Sequence, residues 1–445
     1  MVRTAVLINL PNSTPAGAPR LAGLPLLLRA VLTAQRAGLE EVIIGGGPDP
    51  APLLRRHPRV TIKWRWVPLD SSQQASGENH GARSSDELSV LRHLRHEVKE
   101  DFVLLFADST FDAAALQSLR SASLDGKAAR VVKPQGDAAG ADSALYLCRP
   151  EFLQLLDDHH SPNGATDGVD SFASALHTRE RLSEVEIDGQ VWGRVTDADR
   201  LREIGRALSH FHLKPSDGMF AKFNKLVVAE PLIRFFLHTP ATPNFITTLG
   251  LLLGVAAGVA FAQGSYWWSL FGALLSYSSA IMDHCDGMVA RLKFQETKFG
   301  TWFESAVDYA SYLAIFSGLA VGLYRETGVA HHLIVGALFL FGTLLSFIVQ
   351  SHQRRLVSKD NPADYANRVC KKLEENSGNF FHWLSLHAVF LTRRAVLPYF
   401  VFLFCLLDLR VLLLGWVTLG ANIFWLMLLY QHRLLRPPKA AAEAD

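Results

Sequence analysis

The sequence predicts two unlike units in one chain: an α/β soluble domain over residues 1–205 and an all-α membrane domain of six helices over residues 243–432. Three observations carry this. Residues 1–205 mix charge with Pro and alternate short strand-like runs with helical ones, the pattern of a doubly wound sheet. Residues 240–432 hold nearly all the long apolar runs, although the composition of the whole chain is unremarkable in charge, with a formal net of +2. Four acids, Asp283, Asp286, Glu304 and Asp308, stand inside those runs. An ionised acid at the centre of a membrane helix costs roughly 2.5–3.5 kcal/mol on insertion scales, so four of them require a compensating charge.

The soluble elements read in order as strand "TAVLINL", helix "LPLLLRAVLTAQRAG", strands "EEVIIGG" and "VTIKWRWV", helix "ELSVLRHLRHE", strands "DFVLLFADS" and "AARVVK", and "SALYLCRPEFLQLL". The opening "VRTAVLINL" has too short an apolar run for a signal peptide, which leaves this domain in the cytoplasm. Cys148, Cys285, Cys370 and Cys405 are scattered without CxxC spacing and read as free thiols. The near-neutral balance gives no reason to expect a nucleic-acid partner.

Residues 206–242 read as a linker. Met219, Phe220, Phe223, Leu226 and Val227 recur at helical spacing between Lys222 and Lys225, as in an amphipathic helix lying on anionic headgroups. Spans of about 20 apolar residues follow at roughly 243–263, 265–284, 300–324, 330–351, 394–410 and 411–431. A polar insert, 352–393, separates the fourth from the fifth and has no assigned role; residues 433–445 form a tail. Basic residues gather in alternate connections: Arg291, Lys293 and Lys298, then Arg354 to Lys372, then Arg433, Arg436 and Lys439. The positive-inside rule then places both termini and the acids on the cytoplasmic side of the inner membrane.

Asp283 and Asp286 are three apart and Glu304 and Asp308 four apart, so each pair shares a helix face. Ligands that are all carboxylate oxygens point to a hard cation such as Mg²⁺, Mn²⁺ or Ca²⁺.

From Asp283 to Asp308 the chain resembles the CDP-alcohol phosphotransferases, membrane enzymes of phospholipid synthesis, whose pattern is D-x2-D-G-x2-A-R-x8-G-x3-D-x3-D. Every spacing is intact; Glu304 replaces the third aspartate. The resemblance implies transfer of a phospho-alcohol from a CDP-linked donor to an acceptor hydroxyl, with CMP released. It further implies a two-metal site of Mg²⁺ or Mn²⁺ on Asp283, Asp286, Glu304 and Asp308, with Asp308 also the base. Small Gly287 and Ala290 would admit the cytidine, and Arg291 would pair with phosphate. Gly300, and Asn244 and Thr247 of a Pro-Asn-x-x-Thr element, would complete the nucleotide site; helix capping is the plainer role for the last two. A homodimer through the membrane domain is also expected. CDP-inositol with an inositol phosphate, a CDP-headgroup with a lipid alcohol, and CDP-diacylglycerol with a polar alcohol all suit the motif. The competing reading is an inactive membrane scaffold that recruits a cytidylyltransferase.

The first domain resembles the sugar-nucleotide and inositol-phosphate nucleotidyltransferases. "LLFADSTFD" places Asp108 where that family presents a metal-binding aspartate, and "WGRVTDADRLREIGRAL" resembles its closing strand and helix. The Gly/Lys phosphate cradle is missing from "NLPNSTPAGAPRLAGLPLL", where Leu24 replaces the Lys. Arg194 falls where a second metal-binding Asp is expected. The expectation is a degenerate domain with a vestigial site at Asp108; an active cytidylyltransferase is the alternative. The order of the modules resembles that of bifunctional inositol-1-phosphate cytidylyltransferase/di-inositol-phosphate phosphate synthases.

Overall fold

A computed structural model of the 445-residue chain describes residues 2–10, 19–69, 82–132, 145–156, 169–178, 180–185, 190–211, 222–357 and 396–435. The chain divides into two compact units, Met1–Leu208 and Ser209–Asp445.

In the first unit, alternating buried strands build a seven-stranded sheet. Thr4–Ile8 lies centrally, parallel to Glu41–Gly45 on one side and to Phe102–Phe106 on the other. Lys63–Val67 extends the parallel set. The expected doubly wound sheet is therefore present, with one departure. Leu145–Cys148 runs antiparallel between Phe102–Phe106 and Ala129–Val132. Phe102–Phe106 is buried along its whole length, as a strand covered on both faces must be. A short antiparallel pair, Ser109–Phe111 with Val191–Arg194, crosses the end of that strand and carries a register shift beside Gly193. Asp112 caps the helix Ala113–Ser121 by accepting from the Ala115 N–H at 2.7 Å.

The second unit is helical. The expected surface helix is rearranged: Asn224–Val228 forms a π-helical turn and Glu230–His238 an α-helix starting at Glu230-Pro231. Phe223 and Val227 are exposed; Met219 and Phe220 lie outside the described residues. Six longer apolar elements follow: Pro243–Phe261, Tyr266–Leu292, Lys298–Thr327, His331–Val357, Leu397–Leu406 and Arg410–Leu435. By length and composition, four helices among the described residues are fit to cross a membrane: Pro243–Phe261, Lys298–Thr327, His331–Gln353 and Arg410–Leu429. Tyr266–Leu292 is long enough but carries the motif charges. Leu397–Leu406 has ten residues, so the expectation of six spans is met by four. The polar insert lies almost wholly outside the described residues.

Glycines set the packing. A Cβ on Gly318 would sit 2.0 Å from the Gly258 carbonyl oxygen, and one on Gly258 would sit 2.4 Å from that of Ala314. Backbone therefore meets backbone between Pro243–Phe261 and Lys298–Thr327, as small residues permit in helix pairs. At one end of the bundle, Arg410 donates to Asp408 (2.7 Å) and Glu326 (2.9 Å), and to the Gly264 carbonyl and Ser269 hydroxyl (both 3.3 Å). That cluster pairs the charges in the connections at this end. Cys148, Cys285 and Cys405 are buried free thiols.

Candidate active site

The motif is built by two helix ends and the turn between them. Tyr266–Leu292 runs past the expected end at 284 and stops after Leu292, where Phe294 takes a left-handed φ of 54°. The Gln295 N–H then closes onto the Ala290 carbonyl at 2.7 Å. Thr297 caps the next helix by accepting from the Gly300 N–H at 2.9 Å. This short reversal brings Asp283 and Asp286 alongside Glu304: one ligand oxygen of each lies within 4.8 Å of the others.

Asp286 is buried, and one of its oxygens accepts a hydrogen bond from Thr247. Its Oδ1 is buried with no hydrogen-bond partner among the described residues. A buried carboxylate oxygen left unsatisfied is costly, and three converging carboxylates repel one another. A hard divalent cation answers both, so the donor set fits Mg²⁺ or Mn²⁺. Asp308 stands outside this trio but lines the same cavity of about 40 Å³, together with Thr247, Asp283, Asp286, Ser311 and Tyr312.

The remaining motif residues fall around the trio. A Cβ on Gly287 would lie 3.5 Å from the Arg291 guanidinium, in ordinary contact, so the two residues adjoin one turn apart on the same helix. Arg291 Nε is buried with no hydrogen-bond partner, a donor suited to phosphate. Ala290 is half-buried on the same helix. A Cβ on Gly300 would come within 3.4 Å of Asn244 Oδ1, which ties this glycine to the Pro-Asn-x-x-Thr element. Capping falls to Thr242, which accepts from the Phe245 N–H. Thr247 instead donates to the Asp286 carboxylate, a bond between two helices that no spacing reveals.

Two further contacts escaped the sequence. Lys293, read as a loop charge, is buried and donates to the carbonyls of Phe236 and Thr239 (both 2.8 Å) and Ala241 (3.3 Å). It pins the end of Glu230–His238 to the motif helix. Asn224 Oδ1 accepts from the hydroxyls of Tyr399 and Tyr277.

In the first unit, Asp108 follows the buried strand Phe102–Phe106, and Arg194 covers it. The guanidinium donates from Nε and Nη2 to the two carboxylate oxygens, each at 3.1 Å. Its Nη2 also lies 2.7 Å from Glu87 Oε1. The Phe106 ring lies under the same guanidinium, 4.2 Å from its centroid. Burial alone would lower the Arg194 pKa, but the charges of Asp108 and Glu87 override it and the net direction is upward. The cradle loop lies mostly outside the described residues.

Residues 240–419 match the family model described as CDP-alcohol phosphatidyltransferase. The matched stretch lies within the second unit, which is similar to the CDP-alcohol phosphatidyltransferases over that range. A "Bifunctional IPC transferase and DIPP synthase" of Rubrobacter xylanophilus is 25% identical over 338 residues, 69% of this chain and 73% of the relative. A protein of that name from Aquifex aeolicus is 28% identical over 150 residues, about a third of each chain. An "Archaetidylinositol phosphate synthase" of Methanothermobacter thermautotrophicus is 33% identical over 132 residues, covering 28% of this chain and 63% of the relative. Among solved structures, the Mycobacterium tuberculosis phosphatidylinositol phosphate synthase with CDP-DAG bound covers 48% of this chain and 96% of its own, at 19% identity and a TM-score of 0.32. The T. maritima inositol-1-phosphate CTP transferase covers 46% and 94%, at 13% identity and a TM-score of 0.33.

Proposed function

We propose that the membrane unit transfers a phospho-alcohol from a CDP-linked donor to an acceptor hydroxyl and releases CMP. The observation that carries this is the convergence of Asp283, Asp286 and Glu304, two of which, Asp283 and Asp286, line a cavity together with Asp308. A divalent cation on the three carboxylates supplies positive charge against the donor's diphosphate. Arg291 brings a second positive charge from the same helix. Asp308 takes the acceptor's proton; the acceptor oxygen attacks the phosphorus bearing the alcohol, and the bond to the CMP oxygen breaks. Gly300 and Asn244 bound the nucleotide side.

Aromatic side chains support a shallow site. Phe245, Phe299 and Trp302 are exposed at the acid end, and Trp267, Trp268 and Tyr324 at the other, as in the aromatic belts of membrane proteins. Trp302 to Tyr324 covers about 33 Å at ~1.5 Å per residue, close to the ~30 Å hydrocarbon core. Glu304 and Asp308 then sit within two turns of the interface, where a water-soluble substrate and a lipid can both arrive. With the basic connections on that side, the reading keeps both termini in the cytoplasm and the chain in the inner membrane. The exposed apolar face of Ile334, Leu338, Phe341 and Ile348 is the surface available for a homodimer; native mass spectrometry in nanodiscs giving one chain per particle would remove that part.

The relatives' names share inositol phosphate chemistry, which selects the first assay. Purified full-length protein in nanodiscs is given inositol 1-phosphate with CDP-diacylglycerol or with CDP-inositol, and CMP is measured. Metal- and acceptor-dependent CMP release is expected with one donor. Its absence with both, and with a panel of other acceptor alcohols, would favour the scaffold reading.

A further inference from the structure

We infer that Arg194 is a resident cation standing where the nucleotidyltransferase resemblance calls for a divalent metal, so that the first unit makes no CDP-linked alcohol and the donor must come from a separate CTP-consuming enzyme. The last step rests on the CDP-donor reading of the membrane unit.

Geometry carries the first step. A metal on Asp108 needs a carboxylate oxygen about 2 Å away. Both oxygens instead face the guanidinium fork, one nitrogen to each at 3.1 Å. Glu87, the other buried acid here, is bound by the same guanidinium at 2.7 Å and also accepts from the Val169 N–H at 3.2 Å. The guanidinium is itself buried and backed by the Phe106 ring, which hold it against the two acids. A second cation beside it would meet like charge at short range in a site screened from water. The donor set at this point therefore does not fit a metal, in contrast to the trio of the membrane unit, where an Asp286 oxygen is buried and unsatisfied.

Strand register explains how the exchange comes about. Arg194 ends Val191–Arg194 and pairs with Ser109, the residue after Asp108. An acid at position 194 would lie one register step from Asp108, within side-chain reach of it, and would bring a second carboxylate to the same place. Arginine at that register converts the pair of like charges into an ion pair, and Glu87 completes it.

The missing step is defined by balance. To make the donor, a phosphomonoester oxygen attacks the α-phosphorus of CTP, and the bond to the β-phosphate bridging oxygen breaks, releasing pyrophosphate. Without that step here, a cytidylyl transfer on another protein supplies the CDP-linked substrate that this chain consumes.

The test uses the full chain in nanodiscs. Bound Mn²⁺ is counted by electron paramagnetic resonance for the wild type, Asp108→Asn and Asp286→Asn. Pyrophosphate release is followed from CTP with Mg²⁺ and inositol 1-phosphate or other phosphomonoesters. The expected result is the same Mn²⁺ count for wild type and Asp108→Asn, a lower one for Asp286→Asn, and no pyrophosphate above the no-enzyme rate. Loss of one Mn²⁺ per chain in Asp108→Asn would overturn the inference. So would wild-type pyrophosphate release at ten or more times background, a reading that needs no variant to fold. CMP release from a CDP-linked donor is scored separately, so failure of the membrane unit's assignment leaves this result legible.

Discussion

Asp308 and Glu304 share a helix face, and the proposed roles divide them according to their positions. Glu304 lies with Asp283 and Asp286, whereas Asp308 lines the cavity outside the trio. Asp308→Asn is therefore expected to lower turnover by about 100-fold or more, in the range of general-base losses, with Mn²⁺ affinity nearly unchanged. Glu304→Asp should remain active, because a coordination sphere absorbs one methylene more easily than a base aimed at one hydroxyl. Turnover and Mn²⁺ titration in nanodiscs separate the two; an Asp308→Asn loss explained wholly by weaker metal binding would reverse the roles. Thr247→Val removes the hydroxyl that orients Asp286 and should weaken metal affinity about 10–100-fold, as outer-shell changes do. At this scale the sequence was informative wherever a motif fixed both residue type and offset. Asp283, Asp286 and Glu304 were legible together. Thr247 was legible only as a position, because its bond to Asp286 joins residues on different helices. Arg194 could be seen as a missing acid, but its ion pair with Glu87 depends on packing that no spacing reveals.

Among the elements, the helix pair Pro243–Phe261 and Lys298–Thr327 couples packing to chemistry. Thr247 rides on the first and Glu304 and Asp308 on the second. Gly318→Ala places a methyl where the Gly258 carbonyl oxygen already lies 2.0 Å away, so the helices must separate. Overpacking of this kind costs about 1–3 kcal/mol. A lower midpoint of thermal unfolding in detergent, together with reduced turnover, is expected; an unchanged midpoint would show that the contact yields freely. In the first unit, Arg194→Met leaves Asp108 and Glu87 buried without their cation, and breaking such a pair costs about 3–5 kcal/mol. Denaturant unfolding of the full chain should show the loss in the transition assigned to that unit. Much of the strand and helix order was readable from alternation and length, but the closing strand and helix were seen only through the nucleotidyltransferase resemblance, and the helices Ala113–Ser121 and Val169–Thr178 were missed. The antiparallel sense of Leu145–Cys148 was not, because direction depends on which neighbours a strand finds. The extension of Tyr266–Leu292 to Leu292 was missed because hydropathy falls at the acids while helix propensity does not.

For the whole molecule, the two units show how one chain treats clustered acids in opposite ways. The second unit gathers carboxylates and leaves an Asp286 oxygen unsatisfied among the described residues; the first unit closes its acids with an arginine. Their existence was plain from the contrast in hydropathy along the chain. The number of spans was not, because the fifth apolar element is only ten residues long as described. The decisive measurement is CMP release by the full-length protein in nanodiscs, with CDP-linked donor and acceptor present, titrated with EDTA and then with Mg²⁺ or Mn²⁺, for the wild type and Asp286→Asn. The account predicts wild-type release that EDTA abolishes and either ion restores, with Asp286→Asn silent throughout. Full release in excess EDTA, or an Asp286→Asn protein as active as the wild type, would contradict it.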